Sequence, residues 1–383
     1  MSIADPFPLI LSVAGATLAG RLLLALLPAD NLDRRQLPAT LATSLCLGWA
    51  ALALELDLAS RAGLAHRTLL LSVPWAILLL LRLATLPGAI SPRHTPREEP
   101  RPPLFWLLSA VLAGWLGYLA THLDGSTRFT GRLPKPHDVP AALHLTIIAA
   151  FVLHGLRTVR RKPSLRMALV IALCATPALG SGDIDAGARL SAAGVLAGGT
   201  AYGLAWLRRA NRRAAVLAVL AFALVPLTRA PGTHAAGLAS LAALVIASPG
   251  PRRAHIARLA AAGALFHALH YNFAGCPPLA LAFEDPQAIP TTTWWVAGLF
   301  ALALATRNAS AQRQPATSSA TTIDPPRREV TFVAIQLLAG SLAIAFAEGL
   351  EYAHVVMATP LAAIAAGMAL PSETAPRPAF EHG

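Results

Sequence analysis

Arg157-Thr-Val-Arg-Arg-Lys-Pro-Ser-Leu-Arg166 sets five basic side chains, and no acid, between two long apolar blocks. Lys and Arg in short loops stay on the cytoplasmic side of a bilayer, so the segment reads as a cytoplasmic connection between two membrane-spanning helices. Working outward in both directions, apolar blocks recur at about 6–27, 37–56, 67–87, 103–122, 138–156, 166–180, 187–207, 214–229, 232–249, 254–272, 290–306, 329–347 and 352–370. Most are long enough to cross a hydrocarbon core of roughly 30 Å as a helix. Backbone groups in lipid must bond within their own segment, which makes the blocks helices. The expected fold class is therefore all-α: a polytopic transmembrane helical bundle of about thirteen spans.

Composition agrees. Of 383 residues, 55% are hydrophobic and 13% charged, against roughly a quarter charged in an ordinary soluble domain. Mean hydropathy is +0.56. The net charge of +12 sits in arginines of short connections, which reads as a topology signal and not as a nucleic-acid surface. Cys46 and Cys174 fall inside apolar blocks and Cys276 stands alone, so there is no disulfide framework or zinc spacing. The N-terminus lacks a basic n-region and reads as a retained span, not a cleaved signal.

With the 157–166 segment inside, alternation places Arg34 and Arg35, Arg93, Arg97 and Arg101, Arg208, Arg209, Arg212 and Arg213, Arg252 and Arg253, and Arg307, Arg313, Arg327 and Arg328 inside as well. Asp124, Asp138, Asp183, Asp185, Glu284, Asp285, Glu348 and Glu351 fall outside. The N-terminus is then outside and the C-terminus cytoplasmic. Three regions follow: accessory spans and a cytoplasmic linker over 1–102, a transmembrane core over 103–370, and a polar tail over 371–383. The expected location is the bacterial inner (cytoplasmic) membrane, with membrane lipid as the partner.

Three constellations bear chemistry. Asp183 and Asp185, in a Gly-rich connection before a span, suit a general base or a metal ligand, or else cap the next helix. His267 and His270 share a helix face at the outer end of the tenth span. They would need further ligands such as His122, His137 or His354 to hold a metal or haem, and otherwise snorkel at the interface. Glu348 and Glu351, also three apart, face either a membrane pathway or the headgroup layer. The outer loop from Asp124 to Asp138 adds Arg128, Arg132 and Lys135, a basic exception suited to an anion.

The order of these features resembles the bacterial GT-C membrane glycosyltransferases. The likeness lies in Leu41-Ala-Thr-Ser-Leu-Cys-Leu-Gly-Trp-Ala50, His122-Leu-Asp124 followed by Leu133-Pro-Lys-Pro, the succession of helices and turns from Leu143 to Pro249, Tyr271-Asn-Phe-Ala-Gly-Cys-Pro277 and Glu348-Gly-Leu-Glu-Tyr352. The resemblance implies transfer of a sugar from a polyprenyl-phosphate donor to an outer-face acceptor. Asp124 or Asp138 would be the base, Asp183 or Asp185 would bind a divalent cation (Mg or Mn) or orient the acceptor, and Arg128, Arg132 and Lys135 would offset phosphate charge. His267, His270, Glu348 and Glu351 would contribute to substrate binding. The first outer loop is shorter than in active relatives. That leaves a non-catalytic scaffold or assembly partner as the alternative, and a small-solute or ion transporter as a third reading.

Overall fold

Small residues decide which helix sits in the middle. The segment Ala186–Arg209 carries Gly194, Gly198, Gly199 and Gly203 among alanines, and so offers shallow faces to its neighbours. The computed structural model describes residues 7–27, 37–62, 73–80, 103–122, 141–159, 162–174, 186–228, 232–274, 328–338 and 352–369. Among the described residues every regular element is helical and no strand occurs. In chain order the helices are α1 (Phe7–Leu26), α2 (Leu37–Arg61), α3 (73–80), α4 (Pro103–His122), α5 (Ala141–Thr158), α6 (Pro163–Cys174), α7 (Ala186–Arg209), α8 (Arg212–Leu224), α9 (Thr233–Ala247), α10 (Gly250–Ala274), α11 (328–338) and α12 (Tyr352–Ala369).

Helix α7 is the hub, packed by α5, α8 and α12. Aromatic rings from three helices enter its glycine positions. A Cβ on Gly198 would lie 3.0 Å from the Phe151 ring, one on Gly199 2.4 Å from Phe222, and one on Gly203 2.6 Å from Phe332. Small residues at a helix contact allow close packing of this kind. Helix α1 pairs with α2 at one side of the hub, α9 and α10 pair against α8, and α4 and α6 pack on α5.

Among the described residues, two helical stretches, Pro38–Glu55 and Ala188–Arg209, are long and apolar enough to cross a membrane. The remaining blocks are helical where described, with shifted limits. Helix α2 runs past residue 56 to Arg61, and α10 begins at Gly250, ahead of 254. The expected loop 157–166 is shorter than its charge suggests, since α5 runs to Thr158 and α6 opens at Pro163. Proline suits a first helical turn, where its missing N–H is not needed. The eighth block stops being α-helical at Leu224 and tightens into a 3-10 turn over Val225–Thr228, around Pro226. The expected span at 290–306 lies outside the described residues.

The basic turns meet at one end of the bundle. The Arg208 guanidinium bonds the Thr158 carbonyl at the end of α5 and lies 3.8 Å from the Glu329 carboxylate on α11. Arg213 donates to the Leu24 carbonyl of α1 at 3.2 Å, and Arg253 to the carbonyls of Ser248 and Ile246, both at 3.3 Å. These arginines thus bond carbonyls in the last turns of α5, α1 and α9.

The α7–α8 turn is two residues long. Asn211 caps α8 by accepting from the Arg213 and Ala214 amides, and Ala210 takes φ 54, a left-handed conformation that costs an L-residue about 1–2 kcal/mol. Ala210→Gly is expected to raise stability by about 0.5–1 kcal/mol after the extra chain entropy of glycine is offset. A shift of the unfolding midpoint in detergent would register it.

Candidate functional site

Away from the arginine end lies a small apolar cleft between α2, α5, α7 and α8. Its position follows from its lining: the second half of α2 at Trp49 and Ala53, the first half of α7 at Ser191 and Val195, and the last turns of α8 through to Thr228. Few polar groups reach it. The Thr43 hydroxyl bonds the Ala39 carbonyl and the Tyr202 hydroxyl, both at 2.6 Å, which ties α2 to the hub. Trp49 is 6% exposed, and its Nε1–H has no acceptor among the described residues. A buried indole N–H without an acceptor costs free energy. Thr43→Val removes the tie, leaves the Tyr202 hydroxyl to find another partner, and is expected to cost about 1 kcal/mol. Equal unfolding midpoints for Thr43→Val and wild type would disprove the tie.

On the other side of α8, still away from the arginines, three imidazoles meet. His267 on α10 is 1% exposed. Its Nε2 lies 2.9 Å from the Phe222 carbonyl, and its Nδ1 lies 3.2 Å from His234 Nδ1. His234 Nε2 in turn lies 3.4 Å from His270 Nδ1. The Phe266 ring stacks on His270 at 6.0 Å between centroids. A carbonyl only accepts, so His267 donates from Nε2. With all three rings neutral, His267 Nδ1 then accepts from His234 Nδ1–H, and His234 Nε2 accepts from His270 Nδ1–H. The Phe222 carbonyl thus fixes the His267 proton, and the direction of the two links beyond it follows for neutral rings.

His267 is therefore not a snorkelling interfacial side chain. It is buried because Gly237 on α9 has no side chain to occupy its place: a Cβ there would lie 2.5 Å from His267 Cε1. The sequence reading also missed His234, the member that joins the other two. Its one signal was its position, the second residue of α9, whose start falls on the same side of the bundle as the end of α10. The rings do not converge on one point, since His234 turns a different nitrogen to each neighbour. Among the described residues no group of three or more His, Cys, Asp or Glu is placed to hold a metal ion.

A fourth histidine, His154 on α5, is 4% exposed with both ring nitrogens unpartnered among the described residues, and its ring lies 5.2 Å from that of Tyr202. It too was missed, because a lone histidine in an apolar run carries no spacing signal.

Of the residues singled out from the sequence, His267 and His270 are brought together. Asp124, Asp138, Asp183, Asp185, Arg128, Arg132, Lys135, Glu348 and Glu351 lie outside the described residues, as do the side chains of His122, His137 and His354. No carboxylate is among the described residues lining the cleft. No family model, no curated protein and no solved structure matches the chain.

Proposed function

We propose that the chain is a polytopic integral membrane protein of the bacterial cytoplasmic membrane, with about thirteen spans, its N-terminus outside and its C-terminus cytoplasmic, and that it handles a lipid-linked substrate on its outer side. The observation that carries the reading is the apolar cleft in the half of the bundle away from the arginines, lined almost wholly by apolar side chains of α2, α5, α7 and α8. Exposed apolar side chains around the bundle support the membrane setting, among them Leu80, Trp106, Leu107 and Leu265, each at least 60% exposed. So large an apolar surface suits lipid as its solvent.

The resemblance to GT-C glycosyltransferases supplies the reaction class. An acceptor hydroxyl oxygen attacks the anomeric carbon of a polyprenyl-phosphate sugar, its proton passes to Asp124 or Asp138, and the bond from that carbon to the phosphate oxygen breaks to release polyprenyl phosphate. Asp183 or Asp185, with a divalent cation, and the charges of Arg128, Arg132 and Lys135 would steady the leaving phosphate. The test is transfer of radiolabelled sugar from a polyprenyl-phosphate donor by the purified full chain. Asp124→Ala with Asp138→Ala, and Asp183→Ala with Asp185→Ala, are each expected to lower the rate about 100-fold or more. Full activity in both pairs removes the proposed site. A wild type that retains the donor lipid without turnover is a non-catalytic membrane partner, and solute uptake into proteoliposomes would make it a transporter.

A further inference from the structure

The α9–α10 turn joins two surfaces that a soluble ligand would not need together. Arg252 and Arg253 open α10 and are exposed. Arg252 holds its guanidinium 5.9 Å from the centroid of the buried Trp206 ring, whose Nε1 donates to Ser248 Oγ at 3.2 Å. Arg253 is fixed through Nε to the Ser248 carbonyl and through one Nη to the Ile246 carbonyl, which leaves its other N–H groups directed elsewhere. Both guanidinium groups are thus set in place before any anion arrives, and that lowers the entropic cost of binding one. Arg208, Arg209, Arg212 and Arg213 crowd the neighbouring end of α7 and the start of α8, and the only carboxylate at this end among the described residues is Glu329. The local charge is strongly positive and favours phosphate, whose oxygens fit the guanidinium fork.

The second surface runs away from these arginines along α9. Leu238, Ala242 and Ile246 are exposed at helical spacing on one face, with the chain between them largely buried. The stripe ends at the residue whose carbonyl Arg253 holds. A phosphate at the arginines and an apolar chain along the stripe are the two halves of one molecule.

We propose that the α9–α10 turn binds an anionic phospholipid, its phosphate between Arg252 and Arg253 and one acyl chain along Leu238, Ala242 and Ile246. The site rests on the membrane reading above but not on any sugar-transfer chemistry, since it lies at the opposite end of the bundle from the cleft.

The experiment uses the full chain, purified, delipidated and placed in nanodiscs of phosphatidylcholine alone or with phosphatidylglycerol. Failure to enter nanodiscs at all, with partition into the aqueous phase of a detergent cloud-point separation, overturns the membrane reading itself. Given incorporation, phosphatidylglycerol is expected to raise the unfolding temperature over phosphatidylcholine and to remain bound in native mass spectrometry. R252Q/R253Q is expected to abolish the difference. Arg252→Lys keeps the charge and the fold but loses the fork and the ring contact, and is expected to weaken retention on the order of tenfold. Ile246→Asn, aimed at the chain, is expected to weaken it as well. Equal behaviour in the two lipids, or a full phosphatidylglycerol effect in R252Q/R253Q and Arg252→Lys, overturns the proposal. The same shift from inorganic phosphate in phosphatidylcholine discs overturns the lipid as its source.

Discussion

Gly48→Leu is expected to separate α1 from α2 and to cost about 3 kcal/mol or more, the upper end of the range for overpacking, because the obstruction is backbone. A Cβ at Gly48 would sit 1.8 Å from the Ala16 carbonyl oxygen and 2.9 Å from the Gly20 amide nitrogen. The reciprocal Cβ at Gly20 would sit 1.7 Å from the Ser44 carbonyl oxygen. Side chains yield by changing rotamer, but a helix backbone moves only as a rod, so the two helices must part along their length. Ala16 with Gly20, and Ser44 with Gly48, are small residues four apart on facing helices, the spacing that brings helices into van der Waals contact in lipid. Gly15, on α1 beside Ala16, is the control: a Cβ there meets nothing within 4 Å. Gly15→Ala is expected to stabilise by up to about 1 kcal/mol through helix propensity alone. Unfolding midpoints in mixed detergent micelles distinguish the two, and a Gly48→Leu variant as stable as wild type would mean that the backbones are not in contact.

What was legible in the sequence follows from what kind of signal each feature leaves. Apolar blocks are a property of composition over many residues, so the helices from α1 to α12 fall where hydropathy puts them, to within the usual end effects at Pro163, Leu224 and Arg61. The gathering of Arg208, Arg213 and Arg253 at one end was legible too, through the alternation of loop charge. The partners of these arginines were not, since capping a distant carbonyl needs no particular residue type at the receiving end: Arg213 bonds the backbone of Leu24, whose side chain is irrelevant to the bond. The hub was hidden for a related reason. Gly198, Gly199 and Gly203 announce close approach but not which ring approaches, and Phe151, Phe222 and Phe332 look like any other apolar residue. His267 and His270 were visible as a pair on one helix face, whereas the third ring comes from α9 and the oxygen that orders all three comes from α8. Side-chain periodicity describes one helix at a time and carries no information about a contact between three.

That shared dependence makes Gly237 the most informative position in the histidine cluster. Gly237→Ala places a methyl 2.5 Å from His267 Cε1 and 2.7 Å from both His267 Nε2 and the Phe222 carbonyl oxygen, so it blocks the ring from one side and the backbone from the other. The ring has to leave its place, and the Nε2–H bond to Phe222 goes with it. Loss of one buried hydrogen bond together with overpacking is expected to cost about 2–4 kcal/mol. The decisive readout is the tautomer. In wild type at high enough pH for neutral rings, nitrogen-15 spectra of the imidazoles should show His267 protonated at Nε2 and both His234 and His270 protonated at Nδ1. In Gly237→Ala the Phe222 carbonyl no longer holds His267, so the tautomer populations of His267 and, through it, of His234 and His270 should change although neither of the latter residues has been altered. A wild type with His267 protonated at Nδ1, or a variant with all three tautomers unchanged, would show that the Phe222 carbonyl does not set the direction of the row.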